Sequence, residues 1–327
     1  MKREPIVLGQ NTRFPLKGML TLPDGDGPFP AVVLVHGSGS SNMDEKVGKL
    51  TPFRDIARGL AQRGIASVRY DKRSHAHGLK MVLDKGHPIT VWEETIEDAL
   101  LAARLLRADH RIGPVFLAGH SMGAMLAPRI ECAGGDFAGL ILLAGTPRRL
   151  EEVLLEQTEE AVAAMKGFTR RIGQKQLLQL RQTFTGLYEL SDGEAKGKKV
   201  GGGTTLYYFK EMGQPTVADW LAKTQKPMLI LQGEKDVQVK AGVDFALYRQ
   251  LLGGRKNVTF RLYPGLNHCF VPALSDSIAD AKKNSPPSVT SARRSWTTSP
   301  GGSAGSPKHN KNPCAAAHGF FRRSKNP

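Results

Sequence analysis

The sequence predicts an α/β protein: a mostly parallel sheet of eight strands flanked by helices, with a block of helices inserted late in the chain. Three observations carry this. From Ile6 to His268, short apolar runs alternate with amphipathic stretches of helical length, and strands alternating with helices at this spacing form right-handed βαβ units. The alternation breaks once, between Pro147 and Lys226. A Gly119-His120-Ser121-Met122-Gly123 pentapeptide stands between the apolar run Pro114–Ala118 and a helical stretch. That is the setting in which a serine is held on a sharp strand-to-helix turn.

Strands are expected at Pro5–Leu8, Lys17–Leu22, Ala31–Val35, Ala66–Tyr70, Val115–Ala118, Gly139–Leu143, Pro227–Leu231 and Val258–Tyr263. Helices are expected at Phe53–Arg63, Trp92–Arg107, Ser121–Cys132 and Gly242–Leu252. Pro128 lacks an N–H and falls inside the third of these, where it should kink the helix or weaken its middle turn. Within the break, Arg148–Lys166 and Arg171–Leu190 read as consecutive helices, followed by Gly201-Gly202-Gly203 and the aromatic cluster Tyr207, Tyr208, Phe209. This insertion is expected to cap the C-terminal edge of the sheet, where pockets of open sheets form; packing on the side of the domain is the other reading. The domains are therefore a core of 1–146 and 223–284, a helical cap of 147–222, and a tail of 285–327.

Hydrophobic residues at 40% and charged residues at 23% are ordinary for a globular protein, and 327 residues suffice for a substantial core. The longest apolar runs, Ala31–Val35 and Gly139–Ala144, are strand-sized and far short of the roughly 20 residues a membrane helix needs. Met1-Lys2-Arg3-Glu4-Pro5 is followed by no apolar signal segment, and Cys132, Cys269 and Cys314 lack metal-ligand spacing. A cytoplasmic location is expected. The net charge of +16 is unevenly distributed: residues 281–327 hold nine Lys or Arg and no Asp or Glu, which leaves +7 for the first 280. Nucleic-acid binding is thus not expected of the folded part. Beyond about Ser285, Ser, Pro, Gly, Asn and basic residues dominate, a composition that does not build a core.

A serine hydroxyl needs a base to take its proton and a third group to orient that base. Two downstream loops supply candidates in the order serine, acid, histidine. Gln232-Gly233-Glu234-Lys235-Asp236 follows one strand and Pro264-Gly265-Leu266-Asn267-His268 follows the next. Ser121 is the candidate nucleophile, His268 the base and Asp236 the acid, with Glu234 as the fallback acid. An oxyanion needs two preorganised N–H donors. Met122, after the nucleophile, supplies one. The loop His36-Gly37-Ser38-Gly39-Ser40, after the strand ending at Val35, supplies the other. Ser38 is the choice there, with Gly37 and Gly39 as alternatives.

Candidate substrate-binding residues are Gly37, Gly39, His120, Tyr207 and Tyr208, with Phe209 and Trp220 as further aromatics that core packing explains equally well. His75, His77 and His87 lie after the strand ending at Tyr70, but no carboxylate or cysteine joins them at ligand spacing, so no metal is expected. Cys269 reads as a small buried residue. No G-x-x-x-x-G-K-[ST] or G-x-G-x-x-G loop is present, so no nucleotide cofactor is implied.

Several stretches together carry a resemblance: Val35-His36-Gly37-Ser38-Gly39, Phe53-Arg54-Asp55-Ile56-Ala57, Tyr70-Asp71-Lys72-Arg73, Gly119 to Arg129, Leu229 to Asp236, and Arg255 to His268. Across residues 5–272 the chain resembles the α/β-hydrolase superfamily, in particular prokaryotic serine carboxylesterases near the dienelactone-hydrolase and prolyl-oligopeptidase branches. The resemblance implies the α/β-hydrolase fold with an inserted cap. It makes Ser121 the nucleophile, Asp236 the acid and His268 the base, and it implies activity on small carboxylic esters without a metal. The chain departs from the family after His268. A long amphipathic helix is normal there, but Ser275–Lys283 offers only a short candidate before the basic tail. A shifted reading frame and a natural extension both fit this. Uncovered apolar surface would follow, and with it a tendency to form homo-oligomers.

The expected function is a serine carboxylesterase working on small, short-acyl esters through an acyl-enzyme. The alternatives are a serine peptidase or aminoacyl-ester hydrolase on the same triad, and a polyanion-binding protein acting through the tail.

Overall fold

The computed structural model describes residues 1–83, 89–201 and 203–278. Strands β1 (Lys2–Leu8), β2 (Leu16–Leu22), β3 (Phe29–Val35), β4 (Ala66–Tyr70), β5 (Ile112–His120), β6 (Leu140–Leu143), β9 (Met228–Gly233) and β10 (Val258–Tyr263) form one eight-stranded sheet in the order β1-β2-β4-β3-β5-β6-β9-β10. All run parallel except β2, which is antiparallel to both its neighbours. A short β7 (Lys199–Gly201) and β8 (Thr204–Thr205) pair separately.

The continuous apolar runs are explained by burial on both faces, which removes the polar alternation of a one-sided sheet. Along β3, Ala31, Val33 and Val35 enter one core cluster, while Val32 and Leu34 enter the other. The same division holds for Val115 and Leu117 against Phe116 and Ala118 on β5, and for Met228 and Ile230 against Leu229 and Leu231 on β9. Helix α1 (Pro52–Ala61) brings Phe53 and Leu60 to the second cluster. Helices α3 (Glu97–Arg107) and α4 (Met122–Ile130) cover the first. Helix α10 (Ala246–Leu252) adds Leu252 to it.

Chain order and sheet order part company at β3. From β3 the chain crosses through α1 to β4 on one side, then through α3 to β5 on the other. The loops leaving the C-terminal ends of β3 and β5 therefore diverge and open a crevice, the usual place for a ligand in such a sheet.

One local expectation is corrected. The segment after β4, which the sequence reads as a loop carrying His75 and His77, is a helix, α2 (Arg73–Leu83). It buries only Arg73 and Met81, so it has no apolar stripe to announce it. It is anchored by charge instead: Arg73 Nη2 donates to Glu97 Oε2 at 2.7 Å and also pairs with the buried Asp98. Pro128 stands inside α4. The helix ends two residues later and passes into a wider π-helical turn, Glu131–Gly135.

The insertion is longer in helices than the sequence suggests. It holds α5 (Leu150–Ala163), α6 (Gly167–Phe184), α7 (Asp192–Gly197), α8 (Leu206–Gly213) and α9 (Val217–Lys223) between β6 and β9. Among the described residues no helix is long and apolar enough to cross a membrane. His87, Gly202, Cys314 and the tail of 285–327 lie outside the described residues, as does most of the expected helix Ser275–Lys283.

Leu117 is fully buried on β5 between β3 and β6. Leu117→Ala should therefore cost about 2–5 kcal/mol, the range for deleting a close-packed leucine side chain. In urea unfolding the midpoint should fall with little change in slope. A shift under about 1 kcal/mol would mean that this part of the sheet is not packed to native density.

Candidate active site

Ser121 begins α4 at the end of β5 with φ 53° and ψ −116°. A non-glycine residue at such positive φ is strained by about 1–3 kcal/mol and persists only where its surroundings force it. The forcing contacts are visible. A Cβ on Gly119 would lie 2.1 Å from the Gly123 carbonyl oxygen, and one on Gly123 would lie 2.3 Å from that of Val35. Strand β5, helix α4 and the end of β3 thus meet backbone to backbone. The Ser121 N–H donates to the Leu143 carbonyl at 2.8 Å, which ties the turn to β6.

Asp236 and His268 follow β9 and β10. The His268 Nδ1 donates to Asp236 Oδ2 at 2.7 Å. That same oxygen accepts from Gln232 Nε2 at 2.8 Å, while Oδ1 accepts from the Gln238 and Val239 N–H groups at 2.8 and 3.0 Å. Asp236 is thereby held from four directions. Glu234, the fallback acid, instead accepts from the Gly265 N–H at 3.0 Å and pins the two loops together. Cys269 next door is no nucleophile. Burial, with the charges of Glu45 and Asp236, pushes its thiol up to about 12, so it stays protonated.

The loop after β3 brings Ser38 and Gly39 to a cavity of about 370 Å³ that also contains Ser121 and Met122. Among the described residues, neither the Ser38 nor the Met122 N–H donates to a protein acceptor. The Gly37 N–H, one alternative to Ser38, is already spent on Glu45 Oε1 at 2.8 Å. From the inserted segment, Leu150, Val153, Leu154, Tyr208 and Phe209 wall the cavity, opposite Met125 of α4.

Four of the expected substrate-binding residues lie outside the cavity lining. Gly37 is turned to Glu45 as described. Tyr207 is half-buried outside the cavity, with Lys196 Nζ 4.4 Å from its ring centre. Trp220 lies against Lys223 and Arg129 rather than in the cavity. His120 is buried behind Ser121. Its ring packs on His268 at 4.7 Å between centres, its Nε2 donates to the His268 carbonyl at 3.0 Å, and its Nδ1 forms an ion pair with Glu45 Oε2 at 3.0 Å. His75 and His77 form no cluster: they reach Ser40 and the Pro15 carbonyl, respectively, from α2. The sequence carries no signal for Glu45, a loop carboxylate nine residues from His36, or for Glu94 in the cavity wall.

Fold and site together define the class: an α/β-hydrolase with a serine on a strained strand-to-helix turn. Residues 27–272 match the family described as serine aminopeptidase, S33, and the chain belongs to that family. It is 35% identical over 259 residues to esterase EstD of Thermotoga maritima, an alignment covering 78% of this chain but 58% of that protein. The chain therefore matches little more than half of that relative's length. Among solved structures, a thermostable carboxyl esterase from Bacillus coagulans superposes with a TM-score of 0.55 at 17% identity, covering 81% of this chain and 91% of that one. An esterase of Pyrococcus furiosus gives 0.54 at 14% identity, covering 98% and 91%. These likenesses define the fold.

The His120–Glu45 pair has a pH signature. Burial alone pulls the His120 pKa down, but the Glu45 charge and contact, the His268 carbonyl and Asp236 outweigh it and raise the pKa from 6.5 to about 9. A folded pKa above the unfolded one stabilises fully below the unfolded value and is lost as pH rises through the folded one. Stability should therefore fall between pH 6.5 and about 9, and Glu45→Gln should flatten this part of the profile in denaturant titrations. Parallel profiles for parent and variant would show that the ring is not charged in the folded protein.

Proposed function

We propose that the chain is a serine carboxylesterase acting on small, short-acyl esters through an acyl-enzyme, with Ser121, His268 and Asp236 as its catalytic triad. The single observation that carries this is the 2.7 Å His268–Asp236 contact at the same sheet edge as the strained Ser121 turn. With Nδ1–H given to Asp236, His268 keeps Nε2 as the acceptor for the Ser121 proton. Ser121 Oγ attacks the ester carbonyl, and the oxyanion is met by the Ser38 and Met122 N–H groups. The imidazolium then returns the proton to the departing alcohol. Water, deprotonated by the same ring, cleaves the acyl-enzyme.

The relative named as an esterase supports this reading. The cavity of about 370 Å³, largely apolar along α5, suits a short acyl chain. Residues 147–222 serve as its cap, since seven of them line it. Cys132 and Cys269 are free thiols, in keeping with the cytoplasm as compartment.

The family description favours a second reading, an aminopeptidase. Such an enzyme must meet a free α-ammonium group with negative charge. Glu94 is the carboxylate in the cavity wall, but Lys72 Nζ already lies 3.5 Å from it and the Tyr208 hydroxyl donates to it at 2.7 Å. Its charge is answered within the protein, which favours a neutral ester.

Ser121→Ala should lower turnover of a short-chain aryl ester by up to about 10⁶ and abolish labelling by a fluorophosphonate. Near-parent activity in that variant would remove Ser121 from the mechanism. Faster cleavage of aminoacyl arylamides than of aryl acetates by the parent would favour the peptidase.

A further inference from the structure

Lys72 has no use in the reaction described above, yet its side chain is only 2% exposed. A buried ammonium costs several kcal/mol unless it is well paired, so its position calls for a reason. It lies two residues past the end of β4, with Nζ donating to the Gly37 carbonyl at 2.9 Å and 3.5 Å from Glu94 Oε2. Glu94 is itself held by the Tyr208 hydroxyl at 2.7 Å.

The important acceptor is the Gly37 carbonyl. A peptide unit is planar and trans, so the Gly37 C=O and the Ser38 N–H are opposite ends of one rigid plate. Holding the carbonyl fixes where the N–H points. Ser38 borders the cavity beside Ser121 and Met122, and Lys72 does not. The preceding peptide is held too, by the Gly37 N–H on Glu45 Oε1 at 2.8 Å. Glycine is the residue whose flanking peptides rotate most freely, and a Cβ on Gly37 would be crowded, 3.2 Å from that of Ser121. The chain thus holds a glycine at the point where a free peptide flip would be most damaging.

We propose that Lys72 is a positioning residue that locks the Gly37–Ser38 peptide so that the Ser38 N–H faces the developing oxyanion. Glu94 and Tyr208 hold the lysine in place from the cavity wall. The lock rests on the reading of Ser38 as an oxyanion donor.

The test uses the full chain and Lys72→Met, which keeps the length of the side chain and removes its charge, with folding checked by circular dichroism. Loss of one oxyanion donor costs about 10²–10³ in turnover, and release of the lock should cost a tenth to all of that. The fall should be in kcat with KM held. The affinity for an aryl trifluoromethyl ketone, which Ser121 would convert to a bound oxyanion, should fall by the same factor. Glu94→Gln, which leaves Lys72 in place but weakens its anchor, should show a smaller loss in both readings, and it decides the question if Lys72→Met does not fold. A folded variant with parental kcat and parental ketone affinity overturns the lock, as does a loss confined to KM or to stability. Two controls separate this from the underlying reading. An active Ser121→Ala sinks the triad, and an unimpaired Ser38→Pro, which lacks the N–H, sinks the donor assignment. An impaired Ser38→Pro beside an unimpaired Lys72→Met overturns the lock alone.

Discussion

The site depends on a backbone contact that leaves no room for a side chain: Gly123 of α4 against the Val35 carbonyl at the end of β3. That approach brings β5, α4 and β3 together at the point where the sheet order reverses. It forces the positive φ of Ser121, and it puts the loop after β3 beside the first turn of α4. Two N–H groups from segments more than eighty residues apart, Ser38 and Met122, consequently border one cavity. Widening the contact by a methyl group would separate them.

Around this contact the protein places charges where a water-filled cleft would otherwise leave the loops free. His120 and Glu45 lie behind Ser121, Lys72 and Glu94 beside the Gly37 peptide, and Arg73 with Asp98 under α2. Buried pairs of this kind contribute little net stability against apolar substitutes, because desolvation offsets their attraction. Their directionality is what apolar side chains lack. Glu45, His120 and Lys72 each end on a backbone N–H or carbonyl of a site loop, Glu94 pairs with Lys72, and Arg73 with Asp98 anchors α2. The arrangement trades stability for aim, and a catalytic site depends on aim.

Much of this was legible in the sequence, for identifiable reasons. The central strands were readable because strands buried on both faces are continuous apolar runs. Ser121, Asp236 and His268 stood out because each follows a strand of a parallel sheet, where topology alone brings them to one edge. What escaped notice had no local pattern. Helix α2 buries one apolar side chain and is held by Arg73 reaching α3. His120 lies next to Ser121 in sequence, which suggested substrate contact. Its ring instead packs against Glu45 and the His268 loop. Glu45 and Glu94 are loop and helix carboxylates of ordinary appearance, and only the fold reveals what they meet.

His120 also explains how the Ser38 and His268 loops keep register. Its two ring nitrogens bridge Glu45, which holds the Gly37 N–H, and the carbonyl of His268. A continuous path therefore runs from the Gly37–Ser38 loop to the His268 loop through Glu45 and His120 rather than through Ser121. A shift of either loop would strain the same buried ion pair. The groups that would meet the oxyanion and take the serine proton are thus set before the substrate arrives. Little then has to reorganise as charge develops, and preorganisation of this kind is where electrostatic catalysis gains most.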